Sequence, residues 1–331
     1  MDTELLSREL IRALRGKRSQ AALSRHLRYR TNVVYAWESG RNAPTAAQLF
    51  GLAQRSGIDL HQALRGFFRV APKWVDQVQL QTAEGVLQLL VELRGALPLT
   101  ELARSTGMSR FALSRLFKGQ AQPKAPQFFG LIQACTRRLL DFVSLLVDPE
   151  MIPSIRAQWR QQQARRETAT RAPWSPAVLA ALELLDYHAS SEHRDAWLAE
   201  RLHISEEQVR ECVALLRESG QIKSHRDRFE PTGVEAVELN EDRALARSRR
   251  EFWSRTAADR AALGQGMTAY NVCGVSRQDL QRLKVLQREY LARAREIIAE
   301  SQPVECVALI QVHVLDLAAP IEGGVKGGQS H

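Results

Sequence analysis

Apolar residues recur along the first part of the chain at the spacing of one helix face. Leu6, Leu10 and Leu14 mark a helix over residues 3–15, which Gly16 and the basic pair Lys17-Arg18 end. Ala22, Leu23 and Leu27 give the inner face of a short second helix at 19–27. A tight turn at 28–30 leads to a third helix at 31–38, with Val34 and Trp37 inward. Gly40 suits the left-handed position that follows a helix. Pro44 opens a fourth helix with Leu49, Leu52 and Ala53 inside, and a fifth, 59–67, closes the unit.

The pattern then returns, residue n against residue n+79, with no insertion from Leu10/Leu89 to Gln54/Gln133. "LRG" at 14–16 falls on "LRG" at 93–95, and "FGL" at 50–52 on "FGL" at 129–131. Leu23, Arg25, Gly40 and Pro44 fall on Leu102, Arg104, Gly119 and Pro123. Val34, Trp37 and Leu49 keep their apolar character as Leu113, Leu116 and Phe128. This is a duplicated helical unit, and two copies are too few for a solenoid. Two sibling five-helix domains are expected, at 1–70 and 80–150.

Residues 156–173 are polar and read as a helix end followed by a linker, after which Pro173 and Pro176 open a new domain. Over 174–233 the order is that of a winged helix. The helices "SPAVLAALELLDYHA", "DAWLAERLHI" and "SEEQVRECVALLRESGQI" precede a hairpin, "KSHRDRFEPTG". Ser205 and Gln208 have capping-box spacing. An Arg-rich amphipathic helix with Phe252 and Trp253 is expected over 240–265. "TAYNVCGVS" and "VECVALIQVHVLDL" read as strands flanking a long helix capped by Ser276 and Asp279. Its inward residues are Leu280, Leu283, Leu286, Tyr290, Leu291, Ile297 and Ile298. Two strands alone make a marginal sheet, so further pairing is expected, a dimer being one source. The tail, 321–331, is expected to be disordered. The fold class is mostly α: two tandem helical domains, a winged helix, and a small α/β domain at 240–320 for dimerisation or sensing.

Charge changes the picture more than composition does. The chain is 44% apolar and 25% charged, ordinary for a globular protein, but carries a net +9. Residues 1–72 hold 12 Lys+Arg against 5 Asp+Glu, giving +7; residues 73–150 hold 9 against 7. The excess sits on the first repeat, as expected for a polyanion partner such as nucleic acid. No apolar run approaches the roughly 18 residues of a membrane helix, and the start, MDTELLSREL, lacks a signal core. A cytoplasmic protein with no membrane contact is expected. Cys135, Cys212, Cys273 and Cys306 are too scattered for a zinc pattern and read as reduced, packed thiols.

No nucleophile elbow, phosphate-binding loop, HExxH or dinucleotide turn is present, so neither an enzyme nor a cofactor is expected. "GQGMTA" at 264–269 lacks the third glycine of such a turn. "HASSEHRD" gathers His188, Glu192, His193 and Asp195, but loop polarity accounts for it and no metal is expected.

"SQAALSRHL…TNVVYAWESGRNAP" combines a helix-two glutamine, a tight turn, an apolar pair in helix three and a closing Gly-Arg/Pro. Over residues 5–66 it resembles the Cro/C1-type helix-turn-helix family. The resemblance implies double-stranded DNA as partner, with the third helix in the major groove, bound as a dimer on paired half-sites. Gln20 matches the glutamine that braces the first base-reading side chain and touches phosphate. Thr31 and Asn32 fall at the base-reading start of helix three, with Tyr35 one turn on. Ser39 and Asn42 flank the turn that packs on phosphate, and Arg30 and Arg41 bracket the helix as phosphate partners. Asn suits adenine and Thr suits a thymine methyl. Tyr35 either faces the groove or packs over the turn. Where the family often has a capping or small residue, this chain has Arg30. Either Thr31 caps the helix one residue later, or the helix start is less ordered before DNA arrives.

The second copy replaces Gln20 by Leu99 and Arg41 by Gln120 but keeps Arg110, Arg115, Lys118 and Lys124. Arg110 falls on Thr31 and Ser114 on Tyr35; a second DNA contact through Arg110, Ser114 and Lys118, and a purely structural role, are both open. In the winged helix, Glu206, Glu207 and Glu211 crowd the start of helix three and favour packing on protein, while Lys223, Arg226 and Arg228 leave room for DNA. Residues 174–317 resemble the C-terminal half of an uncharacterised bacterial family with a helix-turn-helix front, a winged helix and an α/β end. The whole reads as a sequence-specific transcription regulator, with an effector or protein partner at the C-terminal region. The rival is an adaptor whose helix-turn-helix units bind proteins instead.

Overall fold

The computed structural model describes residues 1–68, 71–232 and 243–319. Among these it is mostly helical, with seventeen α-helices and one two-stranded sheet. Two compact units result, one built on Met1–Ala164 and the other on Arg165–Asn240 with Ala244–His331.

The first repeat forms α1 (Thr3–Arg15), α2 (Gln20–His26), α3 (Val33–Glu38), α4 (Ala46–Arg55) and α5 (Leu60–Phe67). Each begins at a side chain that accepts the orphan amides of the first turn: Asp2, Ser19, Asn32, Thr45 and Asp59. A 3-10 turn at Lys73–Asp76 leads to the second repeat: α6 (Ala83–Arg94), α7 (Leu99–Thr106), α8 (Arg110–Phe117), α9 (Ala125–Thr136) and α10 (Leu139–Ser144). Leu6, Leu10, Leu14, Leu23, Val34 and Trp37 are buried as their periodicity requires, and so are Leu102, Leu113, Leu116 and Phe128.

The repeats are not sibling domains. They share one continuous apolar core running from Leu6 to Ile155. α1 packs on α9, and the matched pair, α6 on α4, packs likewise. Phe50 meets Phe128 edge-on at 5.4 Å between ring centroids, and Phe142 packs on Phe50, Phe67 and Phe128. The physical reason is that α4 is apolar nearly all round. Ala46, Ala47, Leu49, Phe50, Leu52 and Ala53 are all buried, more than one small bundle could cover.

The turn between α2 and α3 is strained. Arg28 sits at φ 64, a left-handed conformation that costs a non-glycine residue about 1 kcal/mol. The matching residue of the second repeat is Gly107, at φ 69. Arg28→Gly is therefore expected to stabilise the first unit by about 0.5–1 kcal/mol, read as a raised thermal midpoint. A lowered midpoint would show that the Arg28 side chain contributes more than its backbone costs.

The segment expected as a linker is helical: α11 (Pro153–Arg171) is continuous. Its Gln, Arg and Ala residues are good helix formers, and Arg160 pairs with Glu150 at 2.7 Å.

In the second unit, α12 (Ser175–Ala181), α13 (Leu185–Ala189), α14 (Asp195–Leu202) and α15 (Glu206–Glu218) precede a hairpin of β1 (Ile222–His225) and β2 (Arg228–Pro231). The first expected helix is broken in two, and the Leu185 N–H released at the break donates to the Val304 carbonyl at 2.8 Å. The Ser205/Gln208 capping box forms. α16 (Arg243–Ala262) and α17 (Arg277–Glu300) follow, with Ser276 capping α17.

No β–α–β unit forms among the described residues. The segments 268–276 and 304–317, expected as strands, have no strand assignment. Alternation marks a strand only if another backbone is present to pair with. Along α17, Leu283, Leu286, Tyr290, Ile297 and Ile298 are exposed, while Leu280 and Leu291 are half-buried. Cys273 and Cys306 are exposed rather than packed; Cys212 is buried and Cys135 half-buried. The expected disordered tail, 321–331, lies outside the described residues. No helix among the described residues is long and apolar enough to cross a membrane.

Candidate nucleic-acid interface

α3 turns Val34 and Trp37 into the core, which leaves Tyr35 44% exposed on the opposite face. The loop after α3 can turn back because Gly40 adopts φ 77, with Arg8 packed beneath it. Its residue Arg41 lies over the Tyr35 ring, 5.2 Å from the centroid. Arg30, Thr31, Asn32, Ser39, Arg41 and Asn42 are all exposed. The expected site residues other than Gln20 thus share one outward stretch.

Two of them are engaged differently from the expectation. α3 starts at Val33, not Thr31, because the Thr31 carbonyl accepts the Val33 N–H at 2.9 Å and Asn32 becomes the cap. Asn32 Oδ1 accepts from Tyr35 N at 3.3 Å and lies 3.1 Å from Ser24 Oγ. Its acceptor is spent inside the protein, so only Nδ2 is left for a ligand. Paired reading of adenine needs both atoms. Gln20, in turn, donates through Nε2 to Glu38 Oε2 at 2.6 Å instead of bracing Thr31 or Asn32.

Glu38 explains the charge of this face. It is the one acid between Thr31 and Pro44, and it is buried, taking Arg15 Nε at 2.6 Å. Nothing negative is therefore presented beside Arg30 and Arg41 within that stretch. Ser39 closes α3, its Oγ donating to the Ala36 carbonyl at 3.3 Å. Asn42 Oδ1 accepts from Ala43 N at 2.9 Å and from Lys124 Nζ of the second repeat at 2.9 Å.

The second repeat keeps the longer outward helix. Ser109 caps α8 so that it starts at Arg110, the residue matching Thr31. Arg110, Arg115 and Lys118 are exposed, Ser114 is half-buried, and no acid occurs from Met108 to Lys124. Sequence reasoning did not single out Phe111, which is 73% exposed beside Arg110. Its signal was there: an aromatic on the outer side of the helical pattern.

In the second unit the hairpin cations are largely committed. Lys223 pairs with Glu230 at 3.6 Å, and Arg228 donates to the carbonyls of His188 and Ser190. Glu211 binds Arg171 at 2.6 Å, while Glu206 and Glu207 stay exposed. The "HASSEHRD" loop ties the hairpin down: His193 bonds both Asp195 and the buried Tyr187 hydroxyl, which accepts from Phe229 N. Burial pushes the Tyr187 phenol up from its ordinary value. Among the described residues no group of His, Cys, Asp or Glu is placed to hold a metal ion.

Residues 149–315 match the model of a domain of unknown function, DUF4423. No curated protein and no solved structure matches the chain. The matched span runs from the end of the first unit through α17, and the outward faces of α3 and α8 lie outside it. Because that span covers half of the 331 residues, the chain belongs to the DUF4423 family.

Proposed function

We propose that the protein is a sequence-specific transcription regulator that binds double-stranded DNA through Cro/C1-type helix-turn-helix units in its first 150 residues. One observation carries this reading. Around α3 the exposed side chains are polar, aromatic or basic, and the single acid of the stretch, Glu38, is buried against Arg15 and Gln20. Thr31 and Tyr35 are the base-reading candidates, Asn32 contributes a donor only, and Arg30 and Arg41 neutralise phosphate. The apolar residues left exposed along α17 and 304–317 favour a protein partner for the second unit, a second copy of the chain included.

The test is DNA binding across a salt series, using duplexes selected from random sequence. Arg41→Ala is expected to weaken every sequence alike and to lower the salt slope by about 1. Thr31→Ala should instead relax preference at one base pair. Purified protein without salt-dependent DNA binding would overturn the reading in favour of a protein-binding adaptor.

A further inference from the structure

The seam between the repeats is built from matched residues. Ala46 N–H donates to the Pro123 carbonyl at 2.9 Å, and Ala125 N–H donates to the Pro44 carbonyl at 2.8 Å. Ala46 matches Ala125 and Pro44 matches Pro123 in the 79-residue register, so each bond is the other's image. Between them Thr45 bridges its own counterpart, Lys124, in antiparallel fashion. The helix pairs repeat the reciprocity, α1 with α9 and α6 with α4. Gly40 and Gly119 repeat it again, left-handed at φ 77 and φ 71 over the matched residues Arg8 and Leu87. This is the isologous arrangement of a twofold homodimer, made here inside one chain.

The bridged loops are those that leave α3 and α8, so the two outward helices flank one pseudo-twofold axis. The bridged loops are basic: Arg41, Lys118 and Lys124 lie in them, and neither loop contains an acid. We infer that the two repeats act as an internal pair, so that one chain reads two unlike half-sites across its own pseudo-twofold axis. The inference rests on the DNA-binding reading above and goes beyond it in giving α8 a base-reading task. Helix-turn-helix pairs match the symmetry of their operators, and here the symmetry is broken by chemistry. α3 offers Thr31 and Tyr35, whereas α8 offers Arg110, suited to guanine O6/N7, and Phe111, suited to a thymine methyl. The preferred site is two half-sites of different sequence, not a palindrome.

The experiment takes the best duplex selected from a random library by the full chain, and two derivatives with one or the other half-site scrambled. Arg110→Ala is expected to weaken the intact site about tenfold and to change nothing on the derivative whose second half-site is already scrambled. Tyr35→Ala should do the reverse. Both side chains are exposed, and unchanged thermal melting would show that the variants fold. A palindromic selected site that Tyr35→Ala weakens in both halves, with Arg110→Ala and Phe111→Ala within twofold of the parent, would overturn the internal pair and leave the regulator reading standing. Absence of salt-dependent binding to any duplex would overturn both.

Discussion

Gly85→Ala is expected to destabilise the first unit by about 3 kcal/mol or more, near the upper end of what overpacking costs. A β-carbon at Gly85 would fall 2.1 Å from the Gln79 carbonyl oxygen and 2.6 Å from its carbon. Both are backbone atoms and cannot rotate aside. Moving Gln79 would also disturb Thr82, whose hydroxyl donates to the Gln79 carbonyl at 2.7 Å and caps α6 by accepting from Gly85 N. Leu80, next in the chain, is fully packed in the shared core, so the segment has nowhere to go. The control is Gly130→Ala in α9, where a β-carbon meets nothing within 4 Å. That change should stabilise by about 0.5–1 kcal/mol, the usual helical preference of alanine. Urea unfolding followed by far-UV dichroism reads both. A Gly85→Ala midpoint equal to the parent's would show that the 77–82 segment moves freely, contrary to its packing.

Gly85 also marks the limit of what the sequence made legible. Inside each repeat, helical periodicity named the buried residues Leu6, Leu10, Leu23, Val34, Trp37 and Leu49, and the 79-residue register named the counterparts of all but Leu6. The Ser205/Gln208 capping box, the Ser276 cap and Gly40 were legible because the physics is local: one side chain, one turn, one amide. Gly85 falls where the first repeat has Leu6, and nothing local says that Gln79 approaches it. The seam was not read: two sibling domains were expected, although α4 and α9 carry apolar residues on more faces than a five-helix unit buries. The reciprocal bonds through Pro44 and Pro123 are made by backbone groups, which residue identity does not announce.

The site was legible in the same uneven way. The polar and basic residues of 31–44 were legible as an outward face, but the burial of Glu38 beneath it was not, and the capping role of Asn32 depended on a start to α3 two residues later than the pattern gave. In the second unit, alternation over 304–317 had the right period for a strand, yet a strand is a property of two segments, and no partner is paired with it among the described residues.

Glu38→Ala is expected to cost about 3 kcal/mol, the lower end of what removing one member of a buried ion pair costs. The Glu38 carboxylate accepts Arg15 Nε and Gln20 Nε2, each at 2.6 Å, and its own backbone carbonyl accepts Arg12 Nη2 at 3.0 Å. The Glu38 side chain is 4% exposed and that of Arg15 22%, so water regains only part of the stranded guanidinium. The second repeat has solved the same position without an acid. Arg94 matches Arg15, Phe117 matches Glu38 and Leu99 matches Gln20; Arg94 lies 4.6 Å from the centre of the Phe117 ring. A cation over an aromatic face there replaces the ion pair. The double variant Gln20→Leu/Glu38→Phe should therefore lose no more than about 1 kcal/mol, since packed apolar replacements of buried ion pairs are often near neutral. Glu38→Ala alone should lose far more, and chemical denaturation of the two variants separates them. If both are equally unstable, the matched positions are not interchangeable and the two repeats have settled into different cores. If the double variant folds and still binds DNA with an unchanged salt slope, Glu38 and Gln20 shape the face from beneath and touch no phosphate themselves.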